Sequence, residues 1–256
     1  MSSDISQNAI EIDIGKQNII TLFNNRVKGI EICLAGQNIN HCGKQGHWLE
    51  TKMGIKHNAK NEPDINGYEM KTGENVTTFI DKAPDNIFIN GAPMPKRKNK
   101  TEKIQFWEKY GCKKTTDDST IGGWRIDQFN HSGQKLCVDA ENNVFVIYDY
   151  EHDKRENKET ISEINKTPHI IMQWNVESLQ KSIEQKFNKK GFFKCIKQDN
   201  KFVKICFGKP ITFDVWINEL KKGVIYHDGY SKLNGRGRHV FRASNNFWNG
   251  LLTEEY

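Results

Sequence analysis

The nine residues Pro63 to Lys71, PDINGYEMK, constrain this chain more than any other stretch. Asn66-Gly67 is a turn signal, and Glu69-Met70-Lys71 reads as the strand that follows it. Because a strand alternates its side chains between faces, Glu69 and Lys71 share one side, and Tyr68 and Met70 point the other way, toward a core. Asp64 lies five positions before Glu69, so the two carboxylates converge if the chain folds back at the turn. Two hard oxygen ligands beside one ammonium outline a divalent-metal site. The chemistry that uses such a set is metal-assisted phosphodiester hydrolysis, with carboxylates holding Mg²⁺ and a water supplying the nucleophile. A lysine beside that water orients or deprotonates it and stabilises developing charge. Glu50, on a preceding amphipathic helix, offers a further carboxylate. The same residues also fit an exposed strand with ordinary charge alternation, and the D-x4-E-x-K spacing alone does not separate the two readings.

The strings GHWLETKMGI, residues 46–55, and PDINGYEMKT, residues 63–72, narrow the choice. Together they resemble the catalytic segment of the MutH-type PD-(D/E)xK nucleases, most closely the MvaI/BcnI group of Type II restriction endonucleases. By that resemblance Asp64 and Glu69 are the metal ligands, Lys71 is the catalytic lysine and Glu50 is the helix carboxylate. The segment between Glu50 and Asp64 is shorter here than in that group. The resemblance implies an α/β fold, with a mixed β-sheet flanked by helices and a DNA-recognition lobe. It would form one unit over residues 1–256, with a catalytic core near 12–150 and a recognition part near 151–256. It further implies Mg²⁺-dependent cleavage of double-stranded DNA to 5′-phosphate ends at a short G·C-rich site of the CCNGG type. The enzyme would be a monomer, with a cognate DNA methyltransferase as a genetic partner and no stable complex between them. A MutH-like mismatch-repair nickase is the neighbouring alternative, separated by whether cutting needs partner proteins. From another class, a non-catalytic DNA-binding module would carry Asp64, Glu69 and Lys71 as surface charges, and would leave a plasmid intact with or without Mg²⁺.

Charge supports a polyanionic partner. The formal net charge is +6, and two basic segments stand out. PMPKRKNKTEK, residues 93–103, has five basic residues and no apolar periodicity. It reads either as a solvated loop or as a phosphate-contacting one through Lys96, Arg97 and Lys98. In SKLNGRGRHVFRASNNFWNGLL, an extended 235–243 puts Arg236, Arg238, Val240 and Arg242 on one face, and His239 and Phe241 on the other. Arginine suits base readout because its fork matches O6 and N7 of guanine. In the resembling family a basic, Gly-containing segment ending in Phe-Arg precedes the last helix and takes part in DNA recognition, which makes Arg236, Arg238, His239 and Arg242 the candidate DNA contacts.

Six cysteines without a C-x-x-C pair read as reduced thiols; a zinc set of Cys33, His41, Cys42 and His47 matches no common spacing. The N-terminus lacks the organisation of a signal peptide and no run is long enough to span a membrane, so the expected compartment is the cytoplasm. Periodicity predicts helices over 12–34, 48–53, 104–110, 176–187 and 211–220. It predicts strands over 76–80, beside the catalytic strand, over 121–131, and within 134–150 around a turn at Glu141-Asn142-Asn143. A hairpin is expected over 192–207 across Gln198-Asp199-Asn200, and a loop or excursion over 151–166.

Overall fold

The computed structural model describes residues 13–35, 43–56, 61–72, 76–94, 100–113, 119–161, 166–232 and 238–256. In chain order the first elements are α1 (Ile14–Arg26), α2 (Lys44–Lys52), β1 (Glu69–Lys71), β2 (Val76–Asp81), β3 (Asn86–Ile89) and β4 (Ala92–Pro93). There follow α3 (Lys100–Tyr110), β5 (Cys112–Lys113), β6 (Ser119–Trp124), β7 (Ser132–Val138), β8 (Val144–Asp153), a 3-10 turn (Glu156–Thr160) and β9 (His169–Trp174). The chain closes with α4 (Val176–Phe187), β10 (Phe192–Gln198), β11 (Lys201–Gly208), α5 (Phe213–Lys221), β12 (Ile225–Lys232), β13 (Arg238–Ser244), α6 (Asn245–Gly250) and β14 (Leu252–Glu255).

These elements gather into two compact units. Unit 1 takes Met1–Thr72, Lys189–Lys209 and Leu252–Tyr256; unit 2 takes Gly73–Asn188 and Pro210–Leu251. The expected parts near 12–150 and 151–256 are assignments of role. Compactness follows another line, because the strand that pairs with β1 comes from beyond α4.

Unit 1 is a four-stranded sheet in the order β1-β10-β11-β14, with β1 parallel to β10 and the other pairs antiparallel. One face of this sheet, with Met70, Phe193, Cys195, Ile205 and Phe207, shares a buried core with α1 through Ile19 and Phe23 and with α2 through Trp48 and Leu49. The β10-β11 hairpin turns at Asp199 and Asn200, both in the left-handed region at φ 46 and 62, as the residue types favour. Helix α1 is shorter than periodicity suggests. Asp13 caps its start by accepting from the Lys16 amide at 3.0 Å. Beyond Arg26, Gly29 takes φ 75, its amide donates to the Phe202 carbonyl, and Glu31 bridges Lys201. Residues 27–34, which carry on the apolar pattern, are therefore drawn onto the edge of the hairpin.

Unit 2 contains two five-stranded sheets, in the orders β2-β13-β12-β6-β5 and β4-β3-β9-β8-β7. The strand expected beside the catalytic one is present as β2, but it pairs with β13, opposing Phe241 with Ile80. Its place is set by Phe79, fully buried with its ring 4.2 Å from Trp248 and 5.5 Å from Phe187. Helix α4 buries Leu179, Ile183 and Phe187, the stripe its spacing predicts. Helix α3 begins at Lys100, so the end of the basic run 93–103 is helical; Lys96, Arg97 and Lys98 lie outside the described residues.

Within the stretch 151–166, expected as a loop or excursion, the described residues include a strand end and the 3-10 turn. β8 continues to Asp153, whose carboxylate accepts from Arg155 Nη2 at 2.6 Å and from Tyr148 Oη at 2.9 Å, while Arg155 Nη1 donates to the Gly111 carbonyl. Both charges are buried, and losing one strands the other. Arg155→Met should therefore lower stability by about 3–5 kcal/mol, read as a fall in the urea midpoint; an unchanged midpoint rejects the pair as a structural clamp. Burial pushes the Asp153 carboxyl up, but the Arg155 hydrogen bonds and charge outweigh it and hold it below the usual carboxylate range. A depressed carboxylate gives its full stabilisation above the unfolded value and loses it as pH falls toward the folded one. Arg155→Met should accordingly flatten the acid limb of the stability profile below about pH 4.

Among the described residues no helix is long and apolar enough to cross a membrane. Cys33, Cys137, Cys195 and Cys206 are free thiols, and His41 and Cys42 of the zinc alternative lie outside the described residues.

Candidate active site

The local fold around β1 follows from its turn. Asn66 and Gly67 take φ 50 and 85, and Ile65 and Tyr68 exchange backbone hydrogen bonds at 3.1 and 2.8 Å across them. Positive φ at both central positions is the geometry that Asn-Gly adopts at least cost. The reversal carries Asp64 back to β1, where its Oδ2 accepts from the Met70 amide at 2.8 Å. Asp64 is thereby fixed at the Glu69 end of the strand.

Strand β1 alternates as expected. Tyr68 and Met70 enter the unit 1 core, with the Tyr68 ring edge-on to Phe207 at 5.2 Å. Glu69 and Lys71 share the other face, and Lys71 Nζ donates to Glu69 Oε1 at 2.9 Å. Both are buried, at 3% and 6% exposure, so their attraction is far less screened than that of a surface pair. The strand is seated by Gly191, whose carbonyl accepts from the Glu69 amide at 3.1 Å. Gly191 has φ 93, and a Cβ there would come within 2.4 Å of the Gly208 carbonyl oxygen, so only glycine lets β10 start against the end of β11.

Helix α2 brings Glu50 into the same unit. A Cβ on its Gly46 would meet Thr72 Oγ1 at 3.2 Å, which places the start of the helix against the end of β1. Glu50 is partly exposed and lies 3.6 Å from His47 Nδ1, one turn back on its own helix. The structure thus joins Asp64, Glu69 and Lys71 around one short strand, with Glu50 on the adjoining helix. Among the described residues no group of three or more His, Cys, Asp or Glu side chains is placed to hold a metal ion. The donor set nevertheless suits a hard cation, because Mg²⁺ commonly takes only one or two protein carboxylates and completes its octahedron with water and phosphate oxygens.

Sequence reasoning did not single out Lys194. Parallel register sets Lys194 opposite Lys71, and partners in register point to the same side, so it shares the Glu69 and Lys71 face. It is 3% exposed, and that burial pushes its ammonium below the usual lysine value. The alternation FFKCIK implies that Lys194 opposes Phe193 and Cys195, but that its face is the Glu69 face emerges only from the pairing with β1.

The candidate DNA contacts belong to unit 2. Arg238 and Arg242 lie on β13, with Arg242 Nε 3.1 Å and Arg238 Nε 3.9 Å from Asp228 and Asp81 carboxylate oxygens respectively. His239 lies on the opposite face against the rings of Trp174 and His227. Phe241 is fully buried there, while Val240, on the arginine side, is also buried. Arg236 falls outside the described residues.

Comparison with known proteins agrees with this architecture. A sequence model of the LlaMI restriction endonuclease family matches residues 28–256. The chain is 31% identical over 270 residues to the Type II restriction enzyme ScrFI of Lactococcus lactis subsp. cremoris, covering 93% of this chain and 97% of the relative. The solved restriction endonuclease MvaI–cognate DNA substrate complex superposes with a TM-score of 0.62 at 14% identity, over 94% of this chain and 95% of that one, which shows a shared restriction-endonuclease-like fold. With a family match over most of its length and a 31% identical relative, the chain belongs to the LlaMI restriction endonuclease family and is a Type II site-specific deoxyribonuclease.

Proposed function

We propose that unit 1 carries the catalytic centre, with Asp64 and Glu69 as ligands of Mg²⁺, Lys71 as the catalytic lysine and Glu50 in support, and that it hydrolyses duplex DNA to 5′-phosphate and 3′-hydroxyl ends. The observation that carries this reading is the buried Lys71–Glu69 contact at 2.9 Å, at the strand end where the Met70 amide holds Asp64. When bound, Mg²⁺ supplies Lewis-acid polarisation of the phosphoryl oxygen and a nucleophilic water. The chain does the rest. The Met70 amide orients the Asp64 carboxylate, and burial of Glu69 keeps bulk water from competing for it. Lys71, positioned by Glu69, sits where an ammonium orients the attacking water and offsets charge on the phosphorane-like transition state. The water oxygen bonds to phosphorus, the P–O3′ bond breaks, and the proton lost by the water leaves a 3′-hydroxyl.

Unit 2 is assigned recognition, through Arg236, Arg238 and Arg242, with Lys96, Arg97 and Lys98 as phosphate contacts; His239, from its place among aromatic rings, positions β13. The substrate is a short G·C-rich site of the CCNGG type, bound by a monomer. The enzyme acts in the cytoplasm beside a cognate methyltransferase, a reading supported by its free thiols.

Digestion of a plasmid of known sequence tests the proposal. With Mg²⁺ the purified protein should give discrete fragments whose mapped ends share one short site and ligate without kinase treatment. Undiminished cutting in EDTA rejects the metal assignment, and ends that ligate only after phosphorylation reject the bond cleaved.

A further inference from the structure

The β2-β13-β12-β6-β5 sheet has one face in the core and one face that presents charge. Register opposes Tyr226 with Arg242, Tyr230 with Arg238, and Asp228 with both Val240 and Gly123. Alternation therefore sets Tyr226, Asp228, Arg242 and Arg238 on one side, and the buried Trp124, His227 and Phe241 on the other. Arg125 follows Trp124 at the end of β6 and takes the charged side. It is exposed, and its guanidinium lies 4.2 Å from the centre of the Tyr226 ring.

Past Arg125 the chain turns sharply, with Arg125 bridging Gln128 and Asp127 at φ 54. This turn, with Tyr226 and Asp228, bounds a cleft of about 270 Å³ that Gln128, Phe129 and Asn130 also line. The cleft thus has aromatic walls, a stacked guanidinium, the Gln128 side chain and a carboxylate within one concave surface, while the Asn130 amide holds the turn by accepting from the Ser132 and Gln134 N–H groups. That combination suits the polar edge of a planar heterocycle better than a phosphate, which needs converging donors and no carboxylate.

We propose that Arg125, carried on the ring of Tyr226, is a specificity-determining residue that takes O6 and N7 of a guanine in the recognised duplex, with the cleft receiving the edge of that base pair. This rests on the assignment of recognition to unit 2. The stacking holds the planar fork in one orientation before DNA arrives, which lowers the ordering cost of a bidentate contact. Asp228 does the same for Arg242 from the neighbouring strand, so the face offers guanidinium forks in fixed directions.

The test is binding in Ca²⁺, without cleavage, to the mapped site, to duplexes with each base pair replaced in turn, and to duplexes with 7-deazaguanine at each guanine. Arg125→Ala should lose about 5- to 150-fold in discrimination at one guanine only, and 7-deazaguanine at that position should cost the wild type but not the variant. Arg125→Lys keeps the charge without the fork and should bind unrelated DNA as the wild type does while losing that discrimination. Equal weakening on every duplex, with the salt dependence reduced by about one unit, makes Arg125 a phosphate contact and overturns the proposal. So does full discrimination in Arg125→Ala or its restoration by Arg125→Lys. Discrimination that stays at the wild-type level in Arg125→Ala, Arg238→Ala and Arg242→Ala alike instead overturns the assignment of recognition to unit 2.

Discussion

Asp64→Asn and Glu69→Gln should each abolish plasmid cleavage in Mg²⁺ while leaving Ca²⁺-supported DNA binding close to that of the wild type. Each replaces a carboxylate by an amide of the same shape. The side-chain amide introduced at position 64 retains an oxygen for the Met70 N–H, and the one introduced at position 69 retains an oxygen for Lys71 Nζ, so the local hydrogen bonds survive while a ligand charge is lost. If the carboxylates hold the metal, the transition state loses several kcal/mol of stabilisation, a fall of at least about 10³-fold in single-turnover rate. Alanine at 69 is a poorer test, because it leaves the Lys71 ammonium buried without that carboxylate, and a misfolded variant would imitate a catalytic one. The decisive measurement is single-turnover cleavage of a duplex carrying the mapped site, beside a melting curve. Wild-type rates in Asp64→Asn would remove Asp64 from the metal site.

Lys71→Met should lower the single-turnover rate by about 10²- to 10⁴-fold, the range for a group that assists proton transfer, with little change in affinity. Lys71→Arg should not rescue it. The guanidinium is planar and larger than an ammonium, and Lys71 occupies a buried position with 6% exposure, where a longer fork displaces its neighbours. Lys71→Met also leaves the Glu69 carboxylate buried, so it should melt earlier than the wild type, by about 3–5 kcal/mol. The double variant Glu69→Gln, Lys71→Met removes both charges and should recover much of that loss while staying inactive. Stability and activity then move apart, which a purely structural ion pair would not produce. A near-normal cleavage rate in Lys71→Met would show that the lysine serves the fold alone.

Much of unit 1 was legible because its instructions are local. Asn66-Gly67 specifies its own turn, and alternation over Tyr68 to Lys71 specifies which side chains face the core. The 192–207 hairpin and the α4 stripe are equally self-contained, since Asp199-Asn200 favour positive φ and Leu179, Ile183 and Phe187 repeat at helical spacing. The grouping of Asp64, Glu69 and Lys71 around β1 was readable too, because they lie within eight residues around one turn.

What stayed hidden depends on pairing between distant segments. The apolar pattern of 12–34 is compatible with one long helix, and it was cut at Arg26 by backbone bonds to Phe202 and Asn200. Strand β2 was correctly read as extended, yet its β-branched residues say nothing about which strand they will meet; Phe79 packing on Phe187 and Trp248 settled that. Lys194 and Arg125 carry no sequence signature of their own, and they gained neighbours only when β10 paired with β1 and β12 with β6. The sequence by itself determined turns, faces and the cluster of candidate side chains around β1, because torsional preference and side-chain alternation act over a few residues. The tertiary structure alone decided which strands became partners, and hence which remote charges face one another, because that choice minimises exposed apolar surface over the whole chain.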